Sequence, residues 1–147
     1  KANTEWEKGN NEIAFELFLK AATLGESAAQ HNIGYFYEVG EGIAKDINKA
    51  LYWYKKAWRA DGQTDTCMNI AQLYASAGNS KRAVFWWSKA VSKNDGDAAL
   101  ELAKFYLSRN KRGDKDKAFS LLTRIKQFEY ISESGAEEAN SLMRKIE

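Results

Sequence analysis

Few side chains in this chain of 147 residues have the type and spacing that a reaction requires. His31 is the sole histidine and Cys67 the sole cysteine. A zinc centre draws on several His, Cys or carboxylate ligands, and a nucleophilic thiolate needs a base or cation beside it. No HExxH or CxxC is present. His31 and Cys67 do fall in equivalent helices of neighbouring repeats, so their approach is conceivable. The plainer reading of Cys67 is a small residue packed in a helix. Gly40-Glu41-Gly42 is a fragment of a phosphate-binding loop, yet it follows a helical pattern where such loops follow a strand. No catalytic residue, metal ligand or cofactor is assigned, and the chain reads as a non-enzyme.

Two other groups invite a binding role. Trp53, Tyr54, Trp86 and Trp87 would suit stacked bases, but helical offsets place all four on a buried face. Trp6 and Trp58 are left open, either one partly exposed. The segment Arg109 to Lys117 carries five positive and two negative charges, a grip for an acidic partner or simply a solvated loop. Basic side chains number 22 and acidic ones 20, for a net charge of +2. So even a balance gives little field for steering onto phosphates, and nucleic acid is not the expected partner.

The elements that position these residues are written in the alanines. AFELFLKAA begins at Ala14, ALYWYKKAW at Ala50, AVFWWSKAV at Ala83 and AFSLLTRIK at Ala118. The leading alanines are 36, 33 and 35 residues apart, and Ala21, Ala57, Ala90 and Ile125 repeat those intervals. Between these B segments lie A segments in which Ile33, Ile70 and Leu102 correspond, each followed by a small residue, Gly34, Ala71 or Ala103. Apolar offsets of 0, 1, 3, 4, 7 and 8 from Ala50 describe one broad helical face. A period near 35 with two helices per unit means a stacked repeat. Proline is absent from the whole chain, as suits nearly continuous helix. Gly40 to Gly42 ends an A helix, with Asp46 or Asn48 capping the B helix after it. Gly78 and Ser80 take the same parts one unit on. The expected units are 1–24, 25–60, 62–93 and 96–131, with a capping helix over 133–147, all in one domain over 1–147.

Ala21-Ala22, Gly25, Ala29-Gln30, Ile33-Gly34, Tyr37, Gly40, Gly42-Ile43, Asp46, Lys49-Ala50, Trp53-Tyr54 and Lys56-Ala57 together resemble the Sel-1-like repeat, a relative of the tetratricopeptide repeat. The second unit departs from that pattern with its short loop at Asn79 to Arg82, and the third replaces the paired alanines with Ile125 and Lys126. The resemblance covers roughly residues 10 to 126. It implies an all-α, right-handed α-solenoid with a concave surface lined by A helices. It also implies adaptor work in protein complexes; some bacterial members accompany secretion, envelope or toxin-neutralising systems.

A surface for that work follows from register. With Ile33, Gly34 and Tyr37 taken as the buried A positions, the neighbouring stripe holds His31, Tyr35 and Glu38. The same offsets give Met68 and Gln72 in the next unit, then Asp97, Leu100, Lys104 and Leu107. Apolar anchors among a few polar groups suit a protein or peptide. The expected function is therefore an interaction scaffold or adaptor that holds a partner protein on its concave face. The alternatives are a stoichiometric inhibitor such as a toxin-neutralising immunity protein, and an enzyme or nucleic-acid binder on the same scaffold. No stretch of about 18 apolar residues is present, so no membrane span is expected. The single cysteine favours a reducing, cytoplasmic compartment, or a periplasmic one if a signal segment has been removed.

Overall fold

The alternation of A and B segments becomes an all-α fold. Among the described residues, 1–146, the computed structural model contains nine α-helices and no strand. They are α1 (Ala2–Glu7), α2 (Asn11–Thr23), α3 (Ser27–Val39), α4 (Ile47–Asp61), α5 (Thr64–Ser76), α6 (Ser80–Ser92), α7 (Gly96–Arg109), α8 (Asp114–Thr123) and α9 (Glu133–Ile146). Odd-numbered helices are A helices and even-numbered ones B helices. Glu147, the last residue of the expected capping helix, lies outside the described residues. The chain falls into two compact units, Lys1–Leu73 and Tyr74–Glu147, with the boundary inside α5.

Small residues set the packing. Ala14, Ala50, Ala83 and Ala118 of the B helices are completely buried. So are Ala71 and Ala103 of the A helices, and Ala139 extends the series into α9. Gly34 allows an equally close approach of α4. A Cβ there would stand 2.6 Å from Cδ1 of the wholly buried Tyr54 ring. Glycine is therefore retained in mid-helix although it costs about 1 kcal/mol against alanine. In the first unit Ala22 is fully buried and Ala21 only half-buried, one step on from the expected phase.

In α3, Ile33, Gly34 and Phe36 are buried, whereas Tyr37, expected in the core beside them, is half-buried; in α7 the corresponding Tyr106 is buried. Three rings converge on Phe36, Trp6 at 5.2 Å, Phe15 at 5.7 Å and Phe18 at 5.9 Å between centroids. Trp6 thus belongs to the core periphery of the first unit, held by α1. In the second unit Trp87 packs 5.1 Å from Phe105. Trp86, Trp87 and Tyr54 are buried as expected, and Trp53 is half-buried.

The caps follow the expected chemistry with one exception. Asp46 accepts a hydrogen bond from the Lys49 amide at 3.0 Å, and Gly40 and Gly62 end α3 and α4 in the left-handed region. At α6 the cap is Asn79, which accepts from the Arg82 amide at 3.2 Å, and Ser80 is already the first helical residue. Asparagine serves better here because its carbonyl reaches the third amide of the helix. The last B helix, α8, stops at Thr123 and passes into a 3-10 turn at Ile125–Gln127. Ile125, standing where the earlier units have alanine, is buried at that turn.

Candidate functional site

In the first compact unit the predicted stripe is built by α3 and α5. His31 holds the two together. Its Nδ1 lies 3.0 Å from Thr66 Oγ1, and Asn69 Nδ2 lies 3.3 Å from its Nε2. With the amide nitrogen donating, Nε2 accepts, so Nδ1 carries the hydrogen and donates to Thr66. The imidazole is neutral in this arrangement. Burial pushes its pKa below the usual value, against the opposing pull of Asp65, Asp61 and Glu38. The Tyr54 ring stands 5.1 Å from the imidazole, and its hydroxyl donates to Glu38 Oε2 at 2.8 Å. Burial, then that bond, raise the phenol far above its ordinary value. Asp61, Gln63, Asp65 and Thr66 face His31 across an open recess of about 380 Å³.

Around this polar cluster, Tyr35 and Met68 are half-buried and Gln72 is exposed. Tyr35 leans on Trp6, with centroids 5.6 Å apart. The structure thus brings His31, Tyr35, Glu38, Met68 and Gln72 onto two A helices joined by His31. Thr66, which is buried, Asn69 and Trp6 hold this group from beneath and beside it and were not expected to. The period itself is a signal for Thr66, which stands 35 residues from His31.

The second unit treats its share of the stripe differently. Leu100 is only 3% exposed, which corrects its expected place on an open surface. Asp97 accepts from the Ser132 amide at 3.1 Å and from the Ser132 hydroxyl at 2.8 Å, again across 35 residues. Lys104 forms ion pairs with Glu101 at 3.3 Å and with Glu138 of α9 at 3.0 Å. The Glu138 bond is the main reason its pKa is raised. Leu107 is half-buried. Polar stripe positions therefore knit one A helix to the next while leaving part of each side chain in water.

The other candidates resolve simply. Cys67 is completely buried on α5. The basic segment after α7 is organised by Asp114, which is 1% exposed and receives Arg109 in a two-pronged pair at 2.7 and 2.8 Å. The Lys111 amide donates to the same carboxylate at 2.9 Å. Arg109 holds the Asp114 pKa down to about 2. One of the five cations is thus committed within the chain, while Lys111, Arg112, Lys115 and Lys117 are exposed.

Comparison with known proteins agrees with the helical-repeat architecture. The Sel1 repeat pattern matches residues 6–26, 27–61, 70–95 and 96–125, more than half of the chain. The chain belongs to the Sel1 repeat family. Among solved structures, a Sel1 repeat protein from Oxalobacter formigenes superposes with a TM-score of 0.68 at 25% identity, over 86% of this chain and 54% of that one. A protective antigen of uropathogenic Escherichia coli with the same class of repeat gives 0.65 at 29% identity, over 78% and 25%. These place the protein in the all-α solenoid class. Among curated proteins, the chitin synthase regulator SKT5 of Saccharomyces cerevisiae is 45% identical over 56 residues, 38% of this chain and 8% of that protein. Chitin synthase regulatory factor 3 of Schizosaccharomyces pombe is 32% identical over 88 residues, 56% of this chain and 9% of that one. The ubiquitin-ligase component HRD3B of Arabidopsis thaliana is 41% identical over 51 residues, 34% and 8%. The Sel1 chain thus spans less than a tenth of the length of these curated relatives. No helix of the described residues is long and apolar enough to cross a membrane.

Proposed function

We propose that this Sel1 repeat protein is a binding module that holds a partner protein on the A-helix face of its first unit. Sel1 repeats generally serve as scaffolds for protein–protein interaction. The observation that carries the proposal is the bridge from His31 to Thr66 and Asn69, which ties α3 to α5, the helices that bear the half-buried Tyr35 and Met68. Two apolar anchors on helices that also carry Glu38, His31 and Gln72 match the make-up of protein interfaces. Asp97, Lys104 and Leu107 supply a second, more polar patch; Leu100 is excluded by its burial. The printed names of the relatives support the same reading, since two are regulators of chitin synthase and the third is a component of a ubiquitin ligase.

The test compares the wild-type chain with a Tyr35→Ala, Met68→Ala variant as bait, and then measures the recovered partner by calorimetry. Truncating central anchors costs about 2 kcal/mol or more, so binding weakens at least about tenfold while helicity is unchanged. Equal affinity for both baits would place the partner elsewhere.

A further inference from the structure

A near-neutral total conceals an uneven distribution of charge. Helix α4 carries Lys49, Lys55, Lys56 and Arg59 against the single acid Asp61, and α6 carries Lys81, Arg82 and Lys89 with no acid. On each helix one face repeats the same order, cation, aromatic ring, cation. In α4 it is Lys49, Tyr52 and Lys56; in α6 it is Arg82, Phe85 and Lys89. Tyr52 is 54% and Phe85 49% exposed, high for such large apolar side chains.

The local geometry is also repeated. Tyr52 stands edge-on to Trp53 with centroids 5.4 Å apart, and Lys56 lies 5.9 Å from the first ring and 5.3 Å from the second. Phe85 stands edge-on to Trp86 at 5.7 Å, with Lys89 at 4.9 and 5.9 Å. Cation–π contacts steady the ammonium groups without neutralising them. Ion pairs join Lys104 to Glu101 and Glu138, and Arg109 to Asp114; none of these involves a cation of either stripe. Lys49, Lys56, Arg82 and Lys89 therefore have no carboxylate at ion-pair distance among the described residues.

We propose that these two solvent-facing stripes each dock an acidic segment of a partner protein. Carboxylates would meet the two cations of a stripe, and an apolar side chain between them would cover Tyr52 or Phe85. Seven helical residues separate the cations by about 10 Å. Glutamates four residues apart in an extended chain share one face with the residue midway between them and span about 13 Å, a difference that the long cationic side chains take up. Protein is favoured over nucleic acid because Lys56 and Lys89 already lie over the Tyr52 and Phe85 rings on which a base would stack. It is favoured over a membrane because each stripe offers one exposed ring rather than an apolar face with a dense basic cluster. The proposal goes beyond the A-helix surface and uses different residues.

The probe is a fluorescein-labelled peptide in which two glutamates four residues apart flank a leucine midway between them, with a glutamine version as control. We expect saturable binding of the glutamate peptide, weakened by salt, and at least tenfold weaker binding of the control. Lys49→Gln, Lys56→Gln, Arg82→Gln and Lys89→Gln combined lower the affinity at least tenfold with helicity intact by circular dichroism. The charge-matched set Lys8→Gln, Lys20→Gln, Lys126→Gln and Lys145→Gln, all exposed and away from both stripes in the chain, keeps it within twofold. Absence of saturable binding overturns the proposal, as does an equal loss in both sets, which would mean a net-charge effect. Preference for phosphatidylserine vesicles or a single-stranded oligonucleotide over the peptide overturns it too.

Discussion

Gly34 and Asp114 are the residues on which local physics is sharpest. Glycine in mid-helix is ordinarily improved by alanine, by about 1 kcal/mol. At Gly34 the sign reverses, because the new methyl meets a Tyr54 ring that is wholly buried and tethered to Glu38. Gly34→Ala should destabilise the chain by about 1–3 kcal/mol, as overpacked cores do, and urea unfolding reads this directly. Asp114 gives a pH prediction. Its carboxyl titrates at 3.8 when unperturbed and at about 2 beside Arg109. The unfolded chain therefore takes up the proton first, so the stabilisation is complete above pH 3.8 and is lost as pH falls through about 2. Asp114→Asn should show a shallower loss of stability across that window than the wild type. Parallel slopes in acid denaturation would contradict the pairing.

Each helix is placed as much by its ends and its one small position as by its apolar face. Helix α9 is the clearest case. Ser132 donates its hydroxyl to Asp97 and accepts from the Gly135 amide at 3.0 Å, so one side chain both caps α9 and fastens it to α7. Ser132→Ala should cost about 0.5–2 kcal/mol, the range for a lost N-cap. Amide exchange should rise first in α9; uniform change along the chain would argue against a local cap. Gly135 supports the same junction, since a Cβ there would run into the Asp97 carboxylate. A bulkier residue at Gly135 should therefore loosen α9 in the same assay. In α4, Ala57 is wholly buried between neighbouring turns, and Ala57→Leu should cost about 1–3 kcal/mol of overpacking.

For the whole molecule, the fold is common to the Sel1 family and the surfaces are what distinguish one member from another. The A-helix anchors and the loop after α7 can be separated by kinetics. Lys111 and Arg112 are exposed and lie away from Tyr35 and Met68 in the chain. Charge reversal of this pair should slow association and change its salt dependence, with little effect on dissociation. Tyr35→Ala with Met68→Ala should mainly speed dissociation. Surface plasmon resonance with the recovered partner distinguishes the two. A loop variant that loses binding while the anchor variant keeps it would move the interface to the loop.

The sequence alone determined the repeat, the identity of A and B helices and most of the core, because alanine and glycine spacing reports helix contacts that every unit must make. The burial of Ala57, Ala90, Ile33, Tyr54 and Trp87 was legible in that way. What the tertiary structure decided is which half-polar positions remain open. Leu100 lies on the same helical offset as His31 and Met68, yet it is buried. Register fixes direction from a helix axis but not what stands opposite. The same holds for Tyr37, half-buried in α3, while the corresponding Tyr106 of α7 is buried. His31, Asp97 and Lys104 read as free polar surface from their own helices. Each instead found a partner about one period further along the chain, a contact that no single helix can show.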